Sequence, residues 1–145
     1  MRKSILMLIT CAALALPSVH QAKSFDSIAT DAAKIQRDAE ELSNNLKAKT
    51  VDEAKVKADI TALGDDIIKL RKDVETIDAS ASSFNEVQKK DWELVKTKVQ
   101  LLNIFYDRKA ELMSQDFRKH RSLLRAHAKG IAKRAAMLQQ TASRL

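Results

Sequence analysis

The sequence predicts an all-α protein: a helical bundle of three or four antiparallel helices with coiled-coil-like heptad packing. Three observations predict it. Glycine and proline are scarce, two and one in 145 residues, so the turns of a sheet protein have nothing to be built from. Good helix formers, chiefly Ala, Leu, Lys and Glu, fill the chain. Apolar residues recur at alternating spacings of three and four, which places them on one stripe of a helix.

Residues 1–22 stand outside that pattern. Arg2 and Lys3 precede an apolar run from Ile5 to Leu16, and Pro17 and a polar exit follow. A basic head, an apolar run of about a dozen residues and a small-residue exit predict a secretory signal peptide. The run falls short of the about 20 residues that span a bilayer, and Thr10 fits poorly before a lipidated Cys11. Cleavage after Ala22 leaves a chain from Lys23 that lacks the sequence's one cysteine. The expected location is therefore exported, periplasmic or extracellular, and stability must come from the core because no disulfide is available. Residues 23–145 fit a single helical domain.

Phe25, Ile28, Ala32, Ile35, Ala39, Leu42 and Leu46 form the first seam and predict a helix over 25–48. Val56, Ile60, Leu63, Ile67, Leu70, Val74 and Ile77 form the second, over 51–78. Between them the seam positions fall on Lys49 and Glu53, and Thr50-Val51-Asp52-Glu53 reads as a capping box that restarts a helix. The heptad register carries through this break, so one uninterrupted coiled-coil helix over 25–78 is the alternative.

The third helix is expected over 84–113, opened by a second capping box, Ser83-Phe84-Asn85-Glu86. Trp92, Val95, Val99, Leu102, Tyr106 and Met113 make one stripe on it. Leu94, Leu101, Phe105 and Leu112 make another beside it. A face that wide predicts two neighbours. Ser114 as N-cap with Asp116 in the first turn predicts a fourth helix over 115–143. With no Gly or Pro at that junction, a continuous helix of about 60 residues, roughly 90 Å long, is the alternative. The dense run from Leu101 to Tyr106 is the expected core centre, so truncating Leu102 should cost more than truncating Leu138 near the terminus.

Charge is unevenly placed. Residues 23–115 carry 16 Lys/Arg against 18 Asp/Glu, a net of −2, whereas residues 116–145 carry eight against one, a net of +7. Residues 116–145 thus form a basic C-terminal helix. It is amphipathic, with Phe117, His120, Leu124, Ala128, Ile131, Ala135 and Leu138 along one side. Arg118, Lys119, Arg121, Arg125, Lys129, Lys133 and Arg134 cover the rest and are the candidate site, poised to contact an anionic surface or partner. Phospholipid, lipopolysaccharide or an acidic protein fits that charge. Nucleic acid is disfavoured, because Phe117 is the one aromatic available for stacking. The ordinary reading of such a run is a terminal bundle helix with a solvated face.

His120 and His127 lie seven residues apart, about 10 Å along a helix, too far to share a metal ion. They are expected to be rim or partly buried. The mature chain has no thiol nucleophile, no HExxH, no Gly-rich phosphate loop and no GxSxG, and the pairs Glu40-Glu41 and Asp65-Asp66 diverge by about 100° on a helix. Neither a catalytic centre nor a cofactor is expected. The expected function is a non-catalytic interaction protein. The alternative is a structural coiled-coil or chaperone-like oligomer that binds protein through its apolar seams. In composition, though in no motif, an exported, basic, Cys-free chain of long helices resembles the coiled-coil periplasmic chaperones of outer-membrane proteins, and that resemblance implies a holdase.

Overall fold

The computed structural model describes residues 24–145, excepting the side chains of residues 112–115. The signal-peptide expectation for residues 1–22 lies outside the described residues, as do the side-chain placements expected for Leu112 and Met113. Four helices follow in order: α1 (Phe25–Asn45), α2 (Glu53–Asp78), α3 (Glu86–Gln115) and α4 (Phe117–Ala142), with a short 3-10 turn at Ala81–Ser83 between α2 and α3. Successive helices run antiparallel, and α4 returns to pack against α1, which closes the bundle. The hairpin of α1 and α2 replaces the single long helix that the continuous register left open. The fourth helix likewise folds back rather than extending α3.

Each break is made by local chemistry, but two to three residues from the expected places. The capping boxes at Thr50–Glu53 and Ser83–Glu86 do not form. Asp52 caps α2 instead, its carboxylate accepting from Lys55 N at 3.1 Å. Asn85 caps α3 and forms a reciprocal box with Gln88, at 2.9 and 3.1 Å. Both caps satisfy backbone donors that a helix start leaves open. Ser114 lies inside α3 rather than at its boundary. The turn into α4 comes from Asp116, whose extended backbone (φ −145°, ψ 87°) ends one helix while its carboxylate accepts from Lys119 N at 3.2 Å to start the next. A second departure from helical geometry at His120 (φ −108°, ψ 16°) completes the reversal.

The seams of α1 and α2 are buried as their spacing requires. Ile28, Ala32, Ile35, Ala39, Leu42 and Leu46 point inward from α1, and Val56, Leu63, Ile67, Leu70, Val74 and Ile77 from α2. The closest pairing, however, is between α1 and α4. Ala32 and Ala39 on α1 and Ala128, Ala132 and Ala135 on α4 are all buried, and such small side chains let two helix axes approach at the short end of the usual range. Leu138 on α4 is as fully buried as Leu102 on α3. The expected difference between truncating them disappears, because the end of α4 is held against the start of α1 rather than frayed.

Three lysines knit α1 to α2. Lys34 bridges Asp38 on its own helix at 2.8 Å and Asp66 across the pair. Lys55 bridges Asp59 at 3.1 Å and Glu41 across the pair at 2.8 Å. Lys69 bridges Asp73 at 3.0 Å and Asp31 across the pair at 2.6 Å. Each lysine therefore joins an acid one turn on and an acid on the other helix. These hydrogen bonds hold all three ammonium groups above the ordinary lysine range. Exposed pairs of this kind contribute only about 0.2–1 kcal/mol each. Their larger effect is on register, since a shift by one turn separates all three sets together.

At the end of the bundle where α1 begins, Phe25, Phe84 and Trp92 form an aromatic trio with centroids 5.2–5.9 Å apart. The fully buried Trp92 donates from its indole N–H to Asp78 at 2.7 Å. That bond, and then Lys96, hold the Asp78 carboxyl below the usual carboxylate range.

Both glycines outside the first 22 residues receive an aromatic ring of α3. A Cβ on Gly64 would come within 2.9 Å of Tyr106 Cζ, and closer still to the hydroxyl, which donates to Ile60 O at 3.1 Å. A Cβ on Gly130 would lie 2.8 Å from Phe105 Cζ. Tyr106 is thus wedged into α2, and its neighbour Phe105 into α4. Alanine at either glycine gains about 1 kcal/mol of helix propensity but overpacks the ring by about 1–3 kcal/mol. Gly64→Ala and Gly130→Ala should therefore each lower stability in urea melts. Pairing Gly130→Ala with Phe105→Leu should recover part of the loss. A Gly130→Ala protein more stable than wild type would show that the ring is not wedged.

Candidate functional site

The basic residues of α4 do not form one surface. The apolar side of the helix is core: Phe117, Leu124, Ala128, Ile131, Ala135 and Leu138 are all buried, with His120 partly so. That side is closed to a partner, and only the flanks and the outer face remain. The seven candidate residues divide among them in three groups.

The first group closes the end of the bundle at the α1–α2 connection. Arg118 is exposed and pairs with Glu53 at the start of α2. Arg121 is half-buried and donates from Nε to Leu46 O and from Nη2 to Ala48 O. Those carbonyls close α1 and have no helical partner of their own, so Arg121 caps α1 from a distance of 75 residues in the chain. Lys49, Thr50 and Phe117 complete a pocket of about 320 Å³ around these two arginines. Arg125 follows one turn later, half-buried, with its Nε enclosed and without a hydrogen-bond partner among the described residues. The expectation that Arg121 and Arg125 lie on open sides of the helix is corrected. Arg121 lies against the end of α1, and Arg125 is half-buried with it.

The second group faces outward. Lys129 and Lys133 are exposed and line a groove of about 440 Å³ between α1 and α4, with Gln36 and Glu40 opposite and Ala132 and Ala136 within it. Small alanines at the contact leave that groove open. Lys119 is also exposed.

The third group lies toward α3. The Arg134 guanidinium sits 5.4 Å from the Phe105 ring centroid, a cation–π contact that holds it over the wedged ring. Arg134 and Lys98 flank Leu101 and Met137 in a narrow cleft. Here the second stripe of α3 departs from expectation. Helix α3 does touch two neighbours, α2 and α4, but Leu94 is 42% and Leu101 45% exposed, and Met137 opposite is 47% exposed. Phe105 fills the space at Gly130 between the two helices, while Leu94 and Leu101 stay at the rim.

Sequence reasoning missed Lys49 and Lys98, because the charge of residues 116–145 says nothing of cations that the α1–α2 connection and α3 bring beside α4. It also missed the α1–α2 ion pairs. A signal for those exists in the sequence: Lys34/Asp38, Lys55/Asp59 and Lys69/Asp73 repeat one spacing at equivalent heptad positions.

His127 is more enclosed than expected. It is 9% exposed, its ring lies 5.4 Å from Phe105 edge to face, and Nε2 has no hydrogen-bond partner among the described residues. Burial, and then the Lys109 charge, lower its pKa below the ordinary 6.5. Among the described residues no group of three or more His, Cys, Asp and Glu is placed to hold a metal ion, and no helix is long and apolar enough to cross a membrane. What the three groups offer chemically is fixed positive charge and N–H donors.

The depressed pKa of His127 makes the stability of the fold depend on pH. With its folded pKa depressed, the unfolded chain takes up the proton first as pH falls. Stability should therefore decline as pH drops through about 6.5, above the range where most carboxylates titrate. His127→Gln should flatten thermal stability between about pH 7 and 5.5. An equally steep decline in the variant would assign the effect to another group.

No known protein family matches the chain, and neither a curated protein nor a solved structure matches it.

Proposed function

We propose that this is an exported, non-catalytic interaction protein whose basic C-terminal helix contacts an anionic surface or partner. The observation that carries the reading is the pair Lys129 and Lys133 with Lys119 and Arg134, exposed on a helix whose apolar side is locked in the core. Among the described residues none of the four makes an ion pair, whereas Lys34, Lys55 and Lys69 on α1 and α2 are each tied to two acids. Arg118 and Arg121 serve the fold first, through Glu53 and the end of α1. With the apolar side of α4 packed, the exposed charges of this helix are what draw an anionic partner. The coiled-coil or chaperone-like alternative needs apolar seams open to a partner, and the seams of α1 and α2 lie inside the bundle. Export rests on residues 1–22, and N-terminal sequencing of protein recovered outside the cytoplasm should begin near Lys23. A retained Met1 would overturn that part.

Charge contacts exposed to water are screened over about 8 Å at physiological salt. Binding of the chain to polyphosphate should therefore be strong at low salt and weaken steeply as salt rises. Replacing Lys119, Lys129, Lys133 and Arg134 together by Gln should remove it with little change in thermal stability. Arg121→Gln should do the reverse, lowering stability and leaving most of the binding. No affinity for a polyanion at low salt would end the proposal.

A further inference from the structure

The geometry points to an anionic lipid surface as the partner, met by the outer edge that α3 and α4 share, with Leu94, Leu101 and Met137 dipping among the acyl chains. This rests on the reading above that the basic side of α4 meets an anionic partner, and it adds which partner and which face.

Three observations converge on that edge. The first is charge polarity between the two hairpins. Residues 24–83 carry nine Lys/Arg against 13 Asp/Glu, a net of −4, and residues 86–145 carry 14 against six, a net of +8. An anionic surface attracts the α3–α4 hairpin and repels the α1–α2 hairpin, so the bundle is oriented before it touches.

The second is the position of the exposed aliphatic residues. Leu94 and Leu101 lie seven residues apart, two turns along one side of α3 and about 10 Å from each other. Leu101 shares its cleft with Met137 of α4, so the apolar line passes from one helix to the next. Lys98 and Arg134 stand on either side of that cleft. Long cationic side chains beside exposed aliphatic ones suit an interface where apolar groups enter the hydrocarbon boundary and the charges remain at headgroup level.

The third is shape. The cleft between Leu101 and Met137 is about 60 Å³, too small to seat a helix or an anchoring aromatic side chain of a protein partner. The edge is two parallel ridges of helix, which offers a line of shallow insertion rather than a concave site. A bilayer fits such an edge, because lipids rearrange around it.

The test compares three probes on the whole chain: phosphatidylcholine vesicles, the same vesicles doped with phosphatidylglycerol, and polyphosphate. The protein should co-sediment with the doped vesicles and not with phosphatidylcholine alone. Leu101→Ser with Met137→Ser, both exposed and so compatible with folding as checked by thermal melts, should weaken vesicle binding about tenfold or more. The same pair should leave polyphosphate binding unchanged. Lys98→Gln with Arg134→Gln should weaken vesicle binding by about fivefold per charge. If polyphosphate binds but doped vesicles do not, or the serine pair binds vesicles as wild type does, the lipid inference is overturned and the electrostatic reading of α4 stands. If neither polyphosphate nor vesicles bind, both fail. If the wild-type chain sediments as a dimer that the serine pair dissociates, the edge belongs to a second copy of this chain and the lipid inference is overturned.

Discussion

Helices α1 and α4 make the most extensive pairing of the bundle, and Ala32 and Ala39 of the one and Ala128, Ala132 and Ala135 of the other are all buried. Small residues on both sides draw the two axes together. This fixes the rotation of α4 about its own axis, and so decides which of its basic residues are covered. Arg121 is pulled over the end of α1, where it satisfies two carbonyls. Lys129 and Lys133 are left at the lip of the groove that the alanines are too small to fill. One packing choice thus divides a run of like residues into structural and free ones.

Small residues also shape the other side of the molecule. Where α3 meets α4, Phe105 seats against Gly130, and the missing side chain of that glycine is what lets the ring in. Glycine inside a helix costs about 1 kcal/mol relative to alanine. Two helices accept that cost, at Gly64 and Gly130, to receive adjacent aromatic residues of α3. Phe105 in turn carries the ring contacts of both His127 and Arg134. A buried histidine and a surface cation therefore depend on one wedge. Loosening it would alter the acid sensitivity of the bundle and the charge pattern of its edge together.

Electrostatics then divide the bundle into two unlike hairpins. Acids of α1 and α2 hold Lys34, Lys55 and Lys69 in bridges across the pair, which favour the antiparallel register, and acids outnumber cations on that side. The α3–α4 hairpin has a surplus of cations and few acids to absorb it. In such a molecule the positive field is confined to one side, which is the condition for oriented docking rather than diffuse attraction.

The sequence by itself determined the helical class, the core stripes of α1 and α2, and the position of the surplus positive charge. These follow from composition and from spacing along the chain, which act within one helix. Helix starts were legible only to within a few residues, because Thr50, Asp52, Ser83 and Asn85 are all competent caps and the choice between them depends on where the helix must meet its neighbour. Which basic flank of α4 would be covered, that Leu94 and Leu101 would stay at the rim, and that Leu138 would be as buried as Leu102 were decided by the tertiary structure. So were the wedging of Tyr106 and Phe105 against the two glycines and the capping of α1 by Arg121. Each depends on the distance and rotation between helices far apart in sequence. Those are set by the relative sizes of facing side chains, and a pattern read along one helix carries no measure of them.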